Sequence, residues 1–191
     1  PAVLLAEDRI VSTGNYHTPW LSQALDVTAR TLAVLANDAV SRIQRLCTPE
    51  ISGLAPLLSS AATDRAGFGP LLKTVEALRA NIIHLASPVP VIPSFNAGGV
   101  EDAATFTPLA ASKLMQLCEQ LSYLLAYELL AGAQALDLAG PDGVAPRVAV
   151  AHQQIRALSA FLDDDRPIGR EVEAVACELV LMGKLAKQVY R

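Results

Sequence analysis

TPLAASKLMQLCEQLSYLLAYELLAGAQALDL, running from Thr107 to Leu138, is the stretch that decides the fold. Threonine followed by proline is a helix-start device: the hydroxyl can cap, and proline's missing N–H costs nothing in the first turn. Leu114, Leu117, Leu121, Leu124 and Leu125 then recur at steps of three and four, the spacing of one helical face. Nothing breaks the pattern before Gly140-Pro141-Asp142-Gly143. At 1.5 Å per residue this predicts a rod of about 45 Å. Glu128, Gln134 and Asp137 interrupt its apolar second half, so the rod reads as the core of a bundle and not as a membrane span.

The same device recurs upstream. Thr18-Pro19 opens a second long helix, with Leu21, Leu25, Thr28, Leu32, Leu35, Ala39, Ile43 and Leu46 on its expected buried face, closing near Pro49. Residues 47–65 read as a loop with one short turn. A third helix runs from about Gly67 to Leu85, with Phe68, Leu71, Val75, Leu78, Ile82 and Leu85 on one side. Residues 86–107 carry three prolines and two glycines and read as a loop. Beyond Gly143 a shorter helix bears Val148, Ile155, Leu158 and Phe161, and a last one bears Val172 to Val189. The expectation is therefore all-α: a bundle of five helices without a convincing strand, whose wide apolar faces also build an oligomer core.

Composition supports this. The 191 residues are 52% apolar and 18% charged, with a net charge of −4. That excludes intrinsic disorder, which needs low apolar content. With no basic stripe to neutralise phosphates, nucleic acid is not an expected partner, and neither is a membrane. Cys47, Cys118 and Cys177 are odd in number and widely spaced, so they read as buried free thiols in a reducing, cytoplasmic setting. The three histidines are far apart and no Glu-x-x-His or His-Glu-x-x-His occurs, so no metal site is expected. No Walker loop, dinucleotide fingerprint or Gly-x-Ser-x-Gly elbow is present either. The chain starts at Pro1 with no visible leader and reads as part of a longer protein.

Two loops remain, each just ahead of a long helix, where free N–H groups and the positive dipole end favour anions. One is Gly14-Asn15-Tyr16-His17; the other runs from Pro93 to Thr107 and holds Glu101-Asp102. By themselves these residues fit ordinary duties better than functional ones: a turn, a packing ring, a satisfied imidazole, a solvated acidic pair.

Gly14-Asn15-Tyr16-His17 followed by Ala24-Leu25-Asp26 resembles a segment of the methylidene-imidazolone-dependent histidine and phenylalanine (aromatic amino-acid) ammonia-lyases. Further matches follow in order: Ser41-Arg42-Ile43, Ser52-Gly53-Leu54-Ala55-Pro56-Leu57-Leu58, Gly67-Phe68, Ile92-Pro93-Ser94, Glu101-Asp102 and Lys113-Leu114. The resemblance implies that residues 1–138 belong to the family's helical core and that 139–191 add further C-terminal helices. It implies an enzyme that eliminates ammonia from an amino acid to give an α,β-unsaturated acid, working as a homotetramer whose sites draw on three chains. Tyr16 and Glu101 match the family's catalytic positions, and Asn15, Tyr16 and Glu101 its substrate-binding ones. The carboxylate at Glu101 is typical of the histidine enzymes. The prosthetic group forms from an internal Ala-Ser-Gly, which this chain lacks, so the resemblance places it in an N-terminal half and leaves this part alone inactive. Pro19-Trp20 and Val100 depart from the family pattern. A tyrosine or phenylalanine lyase, an aminomutase, or a non-catalytic helical oligomerisation module are the alternative readings.

Overall fold

A computed structural model describes residues 2–12, 17–60, 64–140 and 142–189. Helix α1 spans Pro19–Leu46, α2 Pro49–Ser52, α3 Gly69–Leu85 and α4 Thr107–Ala139. Helix α5 spans Pro146–Leu158, α6 Gly169–Val175 and α7 Lys184–Val189. The long-helix bundle expected from periodicity is what the chain forms, and both Thr-Pro pairs mark helix starts.

Helices α1 and α4 lie side by side and parallel. Ser22 on α1 bonds Thr105 just ahead of α4, and twenty-odd residues on, Arg42 forks onto Glu128. Glu128 holds the Arg42 guanidinium charged even more firmly than usual, chiefly through that hydrogen bond. Helix α3 runs the opposite way against both. Its end is tied to α1 by the Asp26 carboxylate, which accepts the Val89 N–H at 2.8 Å, and its middle by Gln44 Nε2 donating to Glu76 Oε1 at 2.6 Å.

The buried strip of α1 is Ser22, Asp26, Ala29, Ala33, Ala36, Ala39, Val40 and Ile43. This corrects the face read from the leucines: Leu21 and Leu35 are exposed, as are Val27 and Val34. Periodicity weights bulky side chains, but alanines are what let two long helices approach closely. Helix α4 answers with Leu117, Leu121, Leu124, Ala126, Leu130, Ala131 and Ala133, all buried. Val75 and Ile82 of α3 complete the core.

The all-α expectation needs one amendment. Two short antiparallel hairpins occur: β1 (Ala2–Leu5) with β2 (Arg9–Ser12), and β3 (Ile92–Asn96) with β4 (Glu101–Ala104). Both are two-stranded, and β3 is mostly exposed, so it lacks the in–out alternation that announces a strand.

Between α2 and α3 the backbone is tightly folded. Gly53 ends α2 in the left-handed conformation. Leu57 and Leu58 also take positive φ, 54° and 53°, and Leu58 is fully buried. Gly67 is required where it stands: its φ is +51°, and a Cβ would sit 2.7 Å from the Leu57 carbonyl oxygen. The Asp165 carboxylate, from the far C-terminal region, accepts the N–H groups of Ala66 and Gly67 at 2.8 and 2.9 Å.

The final helix of the sequence reading is broken in the structure. Helix α6 passes into a π-helical turn over Ala176–Leu181, and Gly183 at φ +62° separates that turn from α7. The C-terminal helices are anchored on α4 by Gln134, which is 1% exposed. Its Nε2 donates to the Leu162 and Leu58 carbonyls at 2.9 and 3.3 Å, and its Oε1 accepts the Leu162 N–H at 3.0 Å.

Candidate functional site

Glu101 opens β4, opposite Asn96 of β3, and is half-buried. Asp102 beside it points outward, and the imidazole Nε2 of His17 stands 3.8 Å from its Oδ1. His17 immediately precedes Thr18 and α1. The last described residue of the first loop therefore reaches the strand carrying the acidic pair. Asn15 and Tyr16 lie outside the described residues.

A cluster of hydroxyls joins the two helix starts. Thr18 Oγ1 and Thr107 Oγ1 share a hydrogen bond of 2.8 Å, and Thr107 Oγ1 also donates to the Thr18 carbonyl at 3.3 Å. Ser22, 1% exposed, donates its Oγ to the Thr105 carbonyl at 2.8 Å. Neither threonine caps its own helix. Phe106, with φ +47°, holds the position just before α4, and no side chain caps either helix start. Periodicity located the starts correctly, but it carried no sign that the hydroxyls are spent on each other.

Most of the other family-like motifs are scaffold. Asp26 binds the Val89 amide, Ile43 is core, and Arg42 clamps Glu128. Ser52 Oγ accepts the Leu54 N–H at 3.1 Å and donates to the Thr48 carbonyl, shaping the turn at Gly53. Lys113 Nζ donates to the Ser87 carbonyl, fixing the first turns of α4 against the end of α3.

A wide cavity lies at the other end of the molecule. A groove of about 900 Å³ lies between the C-terminal halves of α1 and α4 and helix α5, lined by Leu46, Leu129, Ala133, Leu136, Val148 and Ile155 among others. Along α4 it sits roughly 35 Å from the Glu101 corner. Arg42, Arg45, Glu128 and His152 bring charge to its lining, and His152 Nε2 is tied at 2.7 Å to Oδ1 of Asp137, which also accepts Arg156 Nε at 2.7 Å through Oδ2.

The thiols divide. Cys47 is buried, and burial pushes its thiol up to about 11. Cys118 and Cys177 are exposed, which corrects the expectation that all three are buried. Among the described residues no group of three His, Cys, Asp or Glu side chains is gathered to hold a metal ion, and no helix is long and apolar enough to cross a membrane.

A sequence model for the family described as aromatic amino acid lyase matches residues 1–157. A histidine ammonia-lyase from Anaeromyxobacter sp. (strain K) is 37% identical over 176 residues, 92% of this chain and 35% of that protein. Among solved structures, the histidine ammonia-lyase from Trypanosoma cruzi matches with a TM-score of 0.88 at 27% identity, over 97% of this chain and 36% of that one. A tyrosine aminomutase from Streptomyces globisporus also gives 0.88, at 25% identity, over 98% and 36%. The chain thus spans about a third of the length of the curated relatives it matches.

Proposed function

This chain belongs to the aromatic amino acid lyase family, and from that premise we propose that it is the C-terminal helical part of an enzyme eliminating ammonia from histidine. In that reaction the Cα–N bond breaks, a Cβ proton leaves, and a carbon–carbon double bond forms. The products are ammonia and an α,β-unsaturated acid. Residues 1–138 supply the family core and 139–191 the additional helices.

The observation that carries this reading is the placement of Glu101. It is half-buried at the joined starts of the two longest helices, and His17 brings the first loop against its strand. A carboxylate in such a place can accept an imidazole N–H or a substrate ammonium. A phenyl ring would leave that buried charge without a partner, which is costly. Tyr16 and Asn15, by the family resemblance, line the same pocket.

The methylidene-imidazolone supplies the electrophile when present, and it comes from the part of the protein beyond this chain. The corner fits a role beside such a group: Val100 and Phe106, flanking the strand, are exposed, so Glu101 stands at an open end that a companion segment can cover. The share of the reaction that falls to this chain is to bind and orient the amino acid. The exposed apolar side chains of α1 and the groove at its other end support an assembly in which further protein covers both, a homotetramer being the family's form.

The test uses the full-length protein. Histidine should produce absorbance growth at the urocanate band. Growth only from tyrosine or phenylalanine, at their cinnamate bands, would favour the second reading, which the likeness to the tyrosine aminomutase supports. No product from any of the three would leave a non-catalytic helical module. Glu101→Gln in the active protein should lower kcat/KM for histidine by about ten- to a hundredfold, the scale for a charged hydrogen bond of about 1.5–3 kcal/mol, while leaving the melting temperature nearly unchanged.

A further inference from the structure

The chain turns sharply between Glu101's strand and α4, and that turn is strained. Phe106 sits at φ +47° with a bulky side chain that disfavours the left-handed region, and its ring is partly exposed and so not locked in the core. Such a residue persists only where the surroundings over-determine it. Here the surroundings are hydroxyls from α1. Ser22, buried, grips the Thr105 carbonyl on one side of Phe106; Thr18 grips the Thr107 hydroxyl on the other. Thr105 Oγ1 lies 3.3 Å from Thr107 Oγ1 and closes the set. A serine in the first turn of a long apolar helix has no need to be buried for helix formation, and its own turn offers it other acceptors. Its hydroxyl instead reaches across 83 residues of sequence to the carbonyl that follows Glu101's strand.

The geometry points to Ser22 as a positioning residue for Glu101. By holding the Thr105 carbonyl it pins the strained corner, and the corner sets where the Glu101 carboxylate stands relative to α1. The inference rests on the lyase reading above, and it adds a specific group on α1 through which the substrate-holding carboxylate is aimed. Ser22 touches no substrate; it acts through the strand. Misplacement of a substrate-holding group by about 1 Å costs on the order of a hundredfold in rate, so a lost anchor at this corner is expected to register in catalysis before it registers in folding.

The experiment is a double-mutant cycle in the full-length protein, with Ser22→Ala and Glu101→Gln, assayed on whichever of histidine, tyrosine or phenylalanine the parent takes. Ser22→Ala alone should reduce kcat/KM by about tenfold or more, mainly through KM. In the Glu101→Gln background the same change should reduce it by less than about twofold, because the group it aims is already disabled. Phe106→Gly gives an independent reading: it relieves the strained φ, so the melting temperature should hold or rise while kcat/KM falls. An active parent in which Ser22→Ala leaves kcat/KM unchanged, or adds in full to Glu101→Gln, overturns the positioning role and leaves the lyase reading intact. A parent inactive on all three amino acids overturns both together.

Discussion

Cys47 shows what burial does to a single side chain. It closes the C-terminal end of α1, 5% exposed, and its carbonyl accepts the Leu57 N–H at 3.1 Å. The apolar setting resists the thiolate and raises the thiol from its usual 9.0 to about 11. The sign of the stability effect follows. Below pH 9 the thiol is protonated folded and unfolded, and contributes no pH dependence. Between about 9 and 11 the unfolded chain releases the proton and the folded chain keeps it, so stability falls as pH rises, by on the order of 2 kcal/mol in all. Alkylation at pH 8 should therefore modify Cys118 and Cys177 quickly and Cys47 only when the chain unfolds, as mass mapping of the labelled peptides would show. Rapid labelling of Cys47 in folded protein would contradict its burial. The sequence alone could not divide the three thiols, because each sits among apolar neighbours and only the packed helix reveals which side faces out.

For whole elements, the long helices were legible and their orientation was not. Both Thr-Pro pairs and the leucine spacing located α1 and α4 nearly to the residue. Which face is buried depends on partners, and the alanine strip of α1 carries little hydropathy signal. In sequence, hairpin β3–β4 reads as a loop because Pro93, Gly98 and Gly99 punctuate it and β3 has no buried side. Only the resemblance singles out Glu101 as a candidate site residue; Ser22 and Gln134 carry no signal, since a lone polar residue on a helix declares its partner only when the fold brings one. Gln134 is the element-scale test. Gln134→Leu removes four hydrogen bonds at once, one of them from Arg156, and strands the Leu162 N–H and the Leu58 and Leu162 carbonyls. The expected loss is about 2–4 kcal/mol, with amide exchange accelerating first around residues 158–168. Unchanged exchange there would show that the C-terminal helices are held some other way.

At the scale of the whole molecule, the chain has more apolar surface than its own core consumes. Trp20, Val27 and Val34 recur at steps of seven along the outer side of α1 and are 82%, 52% and 59% exposed. Residues seven apart form one stripe of a helix, the pattern that meets a companion helix. In the full-length protein the double change Val27→Asp and Val34→Asp should shift sedimentation from the assembled species to smaller ones with little loss of helical circular dichroism. An unaltered sedimentation profile would place the assembly contact elsewhere.

The grip of Asp165 on the amides of Ala66 and Gly67 crosses 99 and 98 positions of chain. It makes a late segment the keystone for a helix laid down long before it is synthesised. On the ribosome, the turn leading into α3 emerges with two N–H groups that wait for a carboxylate about a hundred residues further on, so it settles only once Asp165 has been made. A truncation that removes Asp165 would accordingly be felt far upstream, at the mouth of α3, and not only among the helices removed.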